Sequence, residues 1–367
     1  MQKNNNCNIK RRKTREISIG KTKKQKILIG GNNPVAIQSM CTTKTEDWKA
    51  TSEQIIALEK ENCQIVRIAV PGKDAAKAIP KIKKYINIPL VADIHFDYKL
   101  ALEAIKQGAD KVRINPGNIG GKDNVREVII AAKKAGIPLR LGINAGSLEE
   151  DIVKKYGRSC AQGMNESARR WVRFFEKQGF KNFVVSLKAS DVIETVDAHK
   201  LFSKDFDYPL HLGITEAGLN LSGIVKSSVG IGALLLAGIG DTIRVSISGD
   251  AVKEVTVAKE ILKSLGLYTG EPVIIACPTC GRTEIDLEKI ATEIEQKTKF
   301  IKKPVKIAVM GCVVNGPGEA RDADYAVCGG KKMGAIYKGG KLVKSVEEVK
   351  LVDEFMKMIK KDFRKNN

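Results

Sequence analysis

Between residues 35 and 265 the chain repeats one unit, a short apolar run rich in β-branched residues followed by a stretch with helical spacing. A chain with that alternation lays its strands side by side in parallel and covers them with helices. Residues 35–40 precede a helix at 47–61, 65–70 one at 75–85, 90–94 one at 100–107, and 111–114 one at 125–135. Residues 139–143, 183–187, 210–214 and 242–247 each open a further unit, and the last helix runs over 252–265. Eight units in about 235 residues is the size of a (β/α)8 barrel. An open doubly wound sheet is the alternative, but no Gly-x-Gly-x-x-Gly opens the first helix. The fold class is therefore α/β, a TIM barrel over 27–268.

Catalytic groups of such a barrel sit at the C-terminal ends of its strands. Arg67 ends the second strand, Asp93 with His95 the third, and Arg113 with Asn115 the fourth. Arg140 lies in the fifth with Asn144 at its tip, and Lys188 ends the sixth. His211 lies in the seventh with Glu216 just after it, and Arg244 lies in the eighth. A single basic residue of this kind is usually a solvated or salt-bridged side chain. Five on one rim need anions, and the arginine fork suits phosphate, so the expected ligand is a small molecule with more than one phosphate. The glycine-rich turn 117–121 can add backbone N–H groups. Asp93, His95, His211 and Glu216 are the candidates for proton transfer. His199, on an amphipathic helix, reads as a surface residue.

From residue 271 the pattern changes to a small α+β domain, expected over 269–367, with strands at 273–276, 305–310, 326–327 and 334–337 and helices at 287–298 and 345–361. The first two strands deliver Cys277-Pro278-Thr279-Cys280-Gly281 and Cys312. Three thiols in that spacing can be collected by one metal centre. A closed zinc site would take Cys328 as its fourth ligand. An iron–sulfur cluster could instead take Glu319, aimed back by the Asn315-Gly316-Pro317-Gly318 turn, as a weak fourth ligand that leaves one iron open to a substrate oxygen. Spacing alone leaves both open, and the turn favours the second.

The formal net charge is +21, which admits nucleic acid, an anionic membrane or acidic small molecules as partners. Residues 1–26 hold a dense basic run, Lys10 to Arg15 and Lys21 to Lys26, with no apolar segment after it. The expectation is a solvated, partly disordered arm and no secretory signal, hence reduced thiols and a cytoplasmic location. No aromatic residue interleaves with the run as base stacking requires, which argues against a nucleic-acid binder. The charge-free stretch 227–240 is shorter than the roughly 20 residues of a membrane span and reads as a buried helix.

Five motifs in order now resemble one family: Arg113-Ile114-Asn115-Pro116-Gly117-Asn118, Gly142-Ile143-Asn144-Ala145-Gly146-Ser147, His211-Leu212-Gly213-Ile214-Thr215-Glu216-Ala217-Gly218, Cys277-Pro278-Thr279-Cys280-Gly281-Arg282, and Gly311-Cys312 through Asn315-Gly316-Pro317-Gly318-Glu319. The family is the 4-hydroxy-3-methylbut-2-enyl diphosphate synthases of the non-mevalonate isoprenoid pathway, and the likeness runs from about Arg12 to the C-terminal helix. It implies reductive ring opening of 2-C-methyl-D-erythritol 2,4-cyclodiphosphate with loss of water. A 4Fe-4S cluster would be fed by flavodoxin or ferredoxin and held by Cys277, Cys280, Cys312 and Glu319. Arg67, Arg113, Arg140, Lys188 and Arg244 become substrate contacts, Asn144 and Ser246 lesser ones, and Glu216 matches the acid–base residue. The family also implies a homodimer in which one subunit's cluster domain closes over its partner's barrel. Cys41 departs from the family pattern as an extra thiol near the expected site mouth and reads as a tolerated small residue, while Cys63, Cys160 and Cys328 read as packed thiols.

Overall fold

The computed structural model describes residues 9–20, 22, 25–312 and 316–364, which fall into two compact units meeting at Leu267 and Tyr268. The first opens with an antiparallel hairpin, β1 (Ile17–Ile19) and β2 (Ile27–Ile29). There follow β3 (Ala36–Met40), α1 (Trp48–Lys60), β4 (Ile65–Ala69), α2 (Lys73–Lys83), β5 (Leu90–Asp93), α3 (Tyr98–Lys106), β6 (Lys111–Ile114) and α4 (Lys122–Ala135). Then come β7 (Leu139–Asn144), α5 (Glu150–Tyr156), α6 (Ala161–Lys177), β8 (Phe183–Lys188), α7 (Val192–Asp205), β9 (His211–Leu212), α8 (Asn220–Leu236), β10 (Thr242–Ile243) and α9 (Ala251–Ser264). Eight parallel strands run in the order β8-β7-β6-β5-β4-β3-β10-β9, and a bridge between Val185 and Leu210 brings the two ends together into a nearly closed barrel.

Strands β9 and β10 are shorter than their apolar runs suggested. At Gly213 the chains approach so closely that a Cβ would stand 2.6 Å from the Arg244 carbonyl oxygen and 2.7 Å from Lys188 Nζ. Backbone approach there replaces regular pairing with room for a lysine.

Much of the described arm is docked on the barrel, although Lys10 and Lys13 stay exposed; residues 1–8, with Cys7, and Lys21, Lys23 and Lys24 lie outside the described residues. Ile17, Ile19 and Ile29 of the hairpin pack on Ala36, Ile65, Val91 and Val184, the inward side chains at the N-terminal ends of their strands. The hairpin thus floors the barrel with apolar surface. Arginines that looked like free charge are fasteners. Arg11 donates to Asp241 Oδ1 at 2.9 Å and to the Gly240 carbonyl at 3.1 Å. Arg12 donates to the Phe206 and Tyr208 carbonyls at 2.6 and 2.5 Å, closing the backbone groups left open after α7. Arg15 pairs with Asp207.

Two further expectations change. His199 is fully buried, its Nδ1–H donating to the Thr195 carbonyl at 2.8 Å, and burial lowers its pKa to about 4. Its helix spacing was right, but the polar-looking position faces the barrel. The charge-free stretch 227–240 is mostly but not wholly buried: Ser227, Gly230, Ile231, Leu234 and Leu235 face inward, while Val229 and Leu236 are exposed.

The second unit holds β11 (Val273–Ala276), α10 (Leu287–Thr298), β12 (Lys306–Met310), α11 (Gly316–Arg321), β13 (Tyr325–Gly330), β14 (Met333–Lys338), β15 (Lys341–Glu347) and α12 (Leu351–Arg364). Its sheet runs β11 to β15 in order, the first three strands parallel and the rest antiparallel. Ile307, Val309, Tyr325 and Val327 meet Ile294, Leu351, Phe355 and Ile359 of α10 and α12 on one face. Ala308, Met310, Ala326 and Cys328 meet Ala320 on the other. The terminal helix begins at Leu351, not at residue 345, because Gly339 and Gly340, at φ +53° and +75°, turn the chain back as a two-residue hairpin and make 341–347 a strand.

If Arg12 is a structural fastener, Arg12→Ala should lower the unfolding free energy by about 2 kcal/mol, the cost of stranding buried carbonyls. Denaturant titration measures this, and a solvated arm would give no change.

Candidate active site

The C-terminal ends of the barrel strands bring Arg67, Arg113, Arg140, Lys188 and Arg244 into one interior, the first four of them buried. Inverting the usual apolar lining at this level needs space, and glycine supplies it: a Cβ on Gly142 would stand 2.7 Å from Arg113 Nε. The glycines of the Gly142 and Gly213 motifs are therefore pockets for long cations on neighbouring strands.

Asp93 is the carboxylate these cations gather around. Its Oδ1 accepts from Arg113 Nη1 at 3.1 Å, and its Oδ2 lies 3.9 Å from Arg67 Nε and 3.3 Å from His95 Nε2. Burial raises its pKa, but Arg67, His95, Arg113 and Arg140 outweigh burial and hold the carboxyl well below the usual range. Burial and the neighbouring cations depress the basic partners in turn. Arg67 falls to about 10, and Arg140 and Lys188 fall well below their ordinary values. Arg140 Nε and Nη1 have no hydrogen-bond partner. A second carboxylate, Glu254 of α9, accepts from Arg244 Nη2 at 3.1 Å, Ser39 Oγ at 3.1 Å and the Ile247 N–H at 3.1 Å.

His95 Nε2 lies 2.9 Å from Arg113 Nη1 as well as 3.3 Å from Asp93. One nitrogen cannot accept from Arg113 and donate to Asp93 at once. As an acceptor it takes the arginine N–H, and as a donor it serves the carboxylate. His211 is fully buried, with Nδ1 2.8 Å from Thr242 Oγ1 and Nε2 unpartnered; burial and then Arg140, Lys188 and Lys111 push its pKa well down, so it stays neutral. Glu216 stands exposed just beyond β9 at φ +53°, a conformation that non-glycine residues hold only at a cost. Asn115 Nδ2 donates to Ser147 Oγ at 2.6 Å and its Oδ1 accepts from Gly117 N–H, so it joins two rim loops. Asn144 and Ser246 are half buried at the same end. Within the turn 117–121 the N–H groups of Gly117 and Asn118 are already committed to Asn115.

Glu254 and Phe96 escaped the sequence reading. Glu254 carried a signal, a carboxylate on the apolar stripe Ala251, Val255, Ala258 and Leu262. Phe96, beside His95, is exposed at φ +64°, and nothing in the one-dimensional pattern announces that strain.

In the second unit Cys277 and Cys312 follow the tips of adjacent parallel strands, β11 and β12. Cys277 Sγ accepts from the Gly311 N–H at 3.2 Å, and the Glu284 N–H donates to the Gly311 carbonyl at 2.9 Å, tying both cysteine loops together. Cys280 is exposed, and hydrogen bonds from Arg282 draw its thiol toward thiolate. Glu319 is exposed on α11, so the expected glycine–proline turn is a short helix, and residues 313–315 before it lie outside the described residues. Among the described residues no three Cys, His, Asp or Glu side chains are already gathered as a metal site. The donor set still fits a thiophilic cluster: soft thiols at neighbouring strand tips, an N–H aimed at one sulfur, and a weak oxygen ligand on the next helix. Cys328 fits the zinc alternative poorly. It sits inside β13, paired with Met310 and Ala335, its thiol pushed up to about 12 by burial and by Cys312 and Cys277. Cys41 is buried, its thiol likewise raised to about 12 by burial and Cys63.

Asp93→Asn should cost about 3–5 kcal/mol at neutral pH by stranding Arg67 and Arg113. Because the folded pKa is depressed, the wild-type advantage is full above about pH 4 and shrinks as pH falls toward the folded value. Denaturation of both proteins across that range checks the sign.

Comparison with known proteins gives consistent matches. The model described as the GcpE TIM-barrel domain matches residues 14–259, and that of the GcpE protein C-terminal domain matches 273–361. The 4-hydroxy-3-methylbut-2-en-1-yl diphosphate synthase (flavodoxin) of Caldanaerobacter subterraneus subsp. tengcongensis is 57% identical over 354 residues, 96% of this chain and 98% of that protein. Its namesake from Geobacillus thermodenitrificans is 56% identical over 353 residues, 96% of this chain and 93% of that one. Among solved structures, the dihydropteroate synthase of Yersinia pestis is 11% identical with a TM-score of 0.47, over 68% of this chain and 99% of that chain.

Proposed function

This chain belongs to the GcpE family, and from that membership we propose that it opens 2-C-methyl-D-erythritol 2,4-cyclodiphosphate reductively to 4-hydroxy-3-methylbut-2-enyl diphosphate, a step of the non-mevalonate isoprenoid pathway. The reaction takes up two electrons, breaks one ring carbon–oxygen bond and removes one hydroxyl as water. The observation that carries the reading is the rim, where five cationic side chains are answered by the carboxylates Asp93 and Glu254. The unanswered positive charge fits a diphosphate.

Arg67, Arg113, Arg140, Lys188 and Arg244 grip the two phosphates, and Asn115, Asn144 and Ser246 shape and line the same rim. Fixing both phosphates orients the ring for cleavage and shields it from water. Glu216, at the strained turn after β9, serves as the acid–base residue. His95, whose Nε2 lies between Asp93 and Arg113, is a second proton-transfer residue at the rim. His211, buried and neutral, contributes as a dipole under the site. A 4Fe-4S cluster held by Cys277, Cys280, Cys312 and Glu319 would supply single electrons and an open Lewis-acidic iron. Flavodoxin is the natural donor, as the names of the relatives support. We place the enzyme in the cytoplasm as a homodimer. Reduced thiols suit that compartment, and no helix among the described residues is long and apolar enough to cross a membrane.

Anaerobic protein should contain about four irons and four sulfides per chain, bleach on reduction and turn over the cyclic diphosphate. Cys312→Ser should lose the iron yet keep diphosphate binding, and Arg140→Met should lower kcat/KM by at least about a hundredfold. One zinc without colour would remove the cluster assignment, and no turnover with a full cluster would remove the reaction.

A further inference from the structure

Lys111 is fully buried on β6, and its Nζ has no hydrogen-bond partner. It lies two residues before Arg113, on the same face of the strand. In register it neighbours Val91, one of the inward residues that meet the floor hairpin, while Arg113 neighbours Asp93. Lys111 is therefore rooted in the barrel interior, one level beneath the Asp93–Arg113 pair. The other strands bring Arg67, Asp93, Arg140, Lys188, His211 and Arg244 into that interior. Asp93 is already engaged by Arg113, with Arg67 and His95 close by. Gln38, Arg140 and His211 also carry buried polar atoms without partners.

An amine in this position is costly as a cation and gains nothing as a neutral packing group, where methionine would fit better. Its presence points to a counter-charge that arrives from outside. We propose that Lys111 is a further diphosphate-binding residue, kept without a protein counter-charge inside the barrel so that the bound anion becomes its partner. This deepens the functional reading above and rests on it. In the free protein, burial and then Arg140 and Arg67 drive the lysine pKa well down, so the amine is neutral. When a diphosphate neutralises those arginines, the amine takes a proton from solvent and becomes the cation beneath it. Binding and proton uptake are then one event.

The test is isothermal titration calorimetry of the full anaerobic chain with inorganic pyrophosphate and with the cyclic diphosphate. It is run at about pH 8 in two buffers of different ionisation enthalpy. Wild type should take up about one proton per diphosphate more than Lys111→Met does, since Lys188 is depressed by burial and the same arginines in both proteins. Lys111→Met should bind at least about tenfold more weakly, lose that proton, and melt no lower than wild type because an unpaired buried amine has been removed. A merely structural lysine would instead lower Tm and leave affinity within about twofold, and that result overturns the proposal. Should the methionine variant not fold, Lys111→Gln carries the same comparison, and absence of proton uptake by wild type alone overturns the proposal. Lys111-dependent pyrophosphate binding without binding or turnover of the cyclic diphosphate would sink the functional reading and spare the anion site. Normal turnover with unchanged affinity in the variant would do the reverse.

Discussion

Everything at the barrel rim depends on one buried carboxylate. Without Asp93, Arg67 and Arg113 would face each other across a low-dielectric interior with Arg140 beside them, an arrangement that packing would have to hold at a large cost. With it, Arg113 is held by a 3.1 Å hydrogen bond and Arg67 by an ion pair at 3.9 Å, yet the cations remain in excess, which is the electrostatic state a diphosphate site requires. Glu254 repeats the device for Arg244 and also binds the Ser39 hydroxyl and the Ile247 N–H, so that α9, β3 and the loop after β10 share one carboxylate.

That concentration of charge is tolerable because of what lies around it. The rim cations occupy volume vacated by glycine at 142 and 213, and the level beneath is closed by isoleucines of the N-terminal hairpin. Water is thereby kept from the floor, and the interior keeps the low dielectric that makes a few fixed charges strong. The second unit supplies the opposite chemistry, soft sulfur at strand tips with an exposed thiol beside Arg282.

Much of this was legible in one dimension. Eight apolar runs at barrel spacing specify the fold, and charged residues at strand ends specify the rim, because a buried strand has no other reason to carry arginine. What stayed hidden depended on contacts distant in sequence. Arg11, Arg12 and Arg15 look like a solvated run until Asp241, Asp207 and the carbonyls after α7 are brought to them. His199 follows its helix pattern but lies on the covered side, since a histidine is polar enough to read as surface and small enough to bury. Residues 345–347 read as the start of the terminal helix, and it is the Gly339-Gly340 turn that makes them the end of a strand. Glu319 lies on a short helix, α11, where the sequence reads only a glycine–proline turn.

The docked N-terminal segment carries a consequence for how the barrel comes into being. Arg11 and Thr14 are fastened to Asp241, a residue more than two hundred positions later, and Asp241 in turn receives the Leu210 N–H. During synthesis the first strands therefore wait, their floor unlatched, until the last barrel strand has emerged. Contacts of such sequence separation make closure late and cooperative.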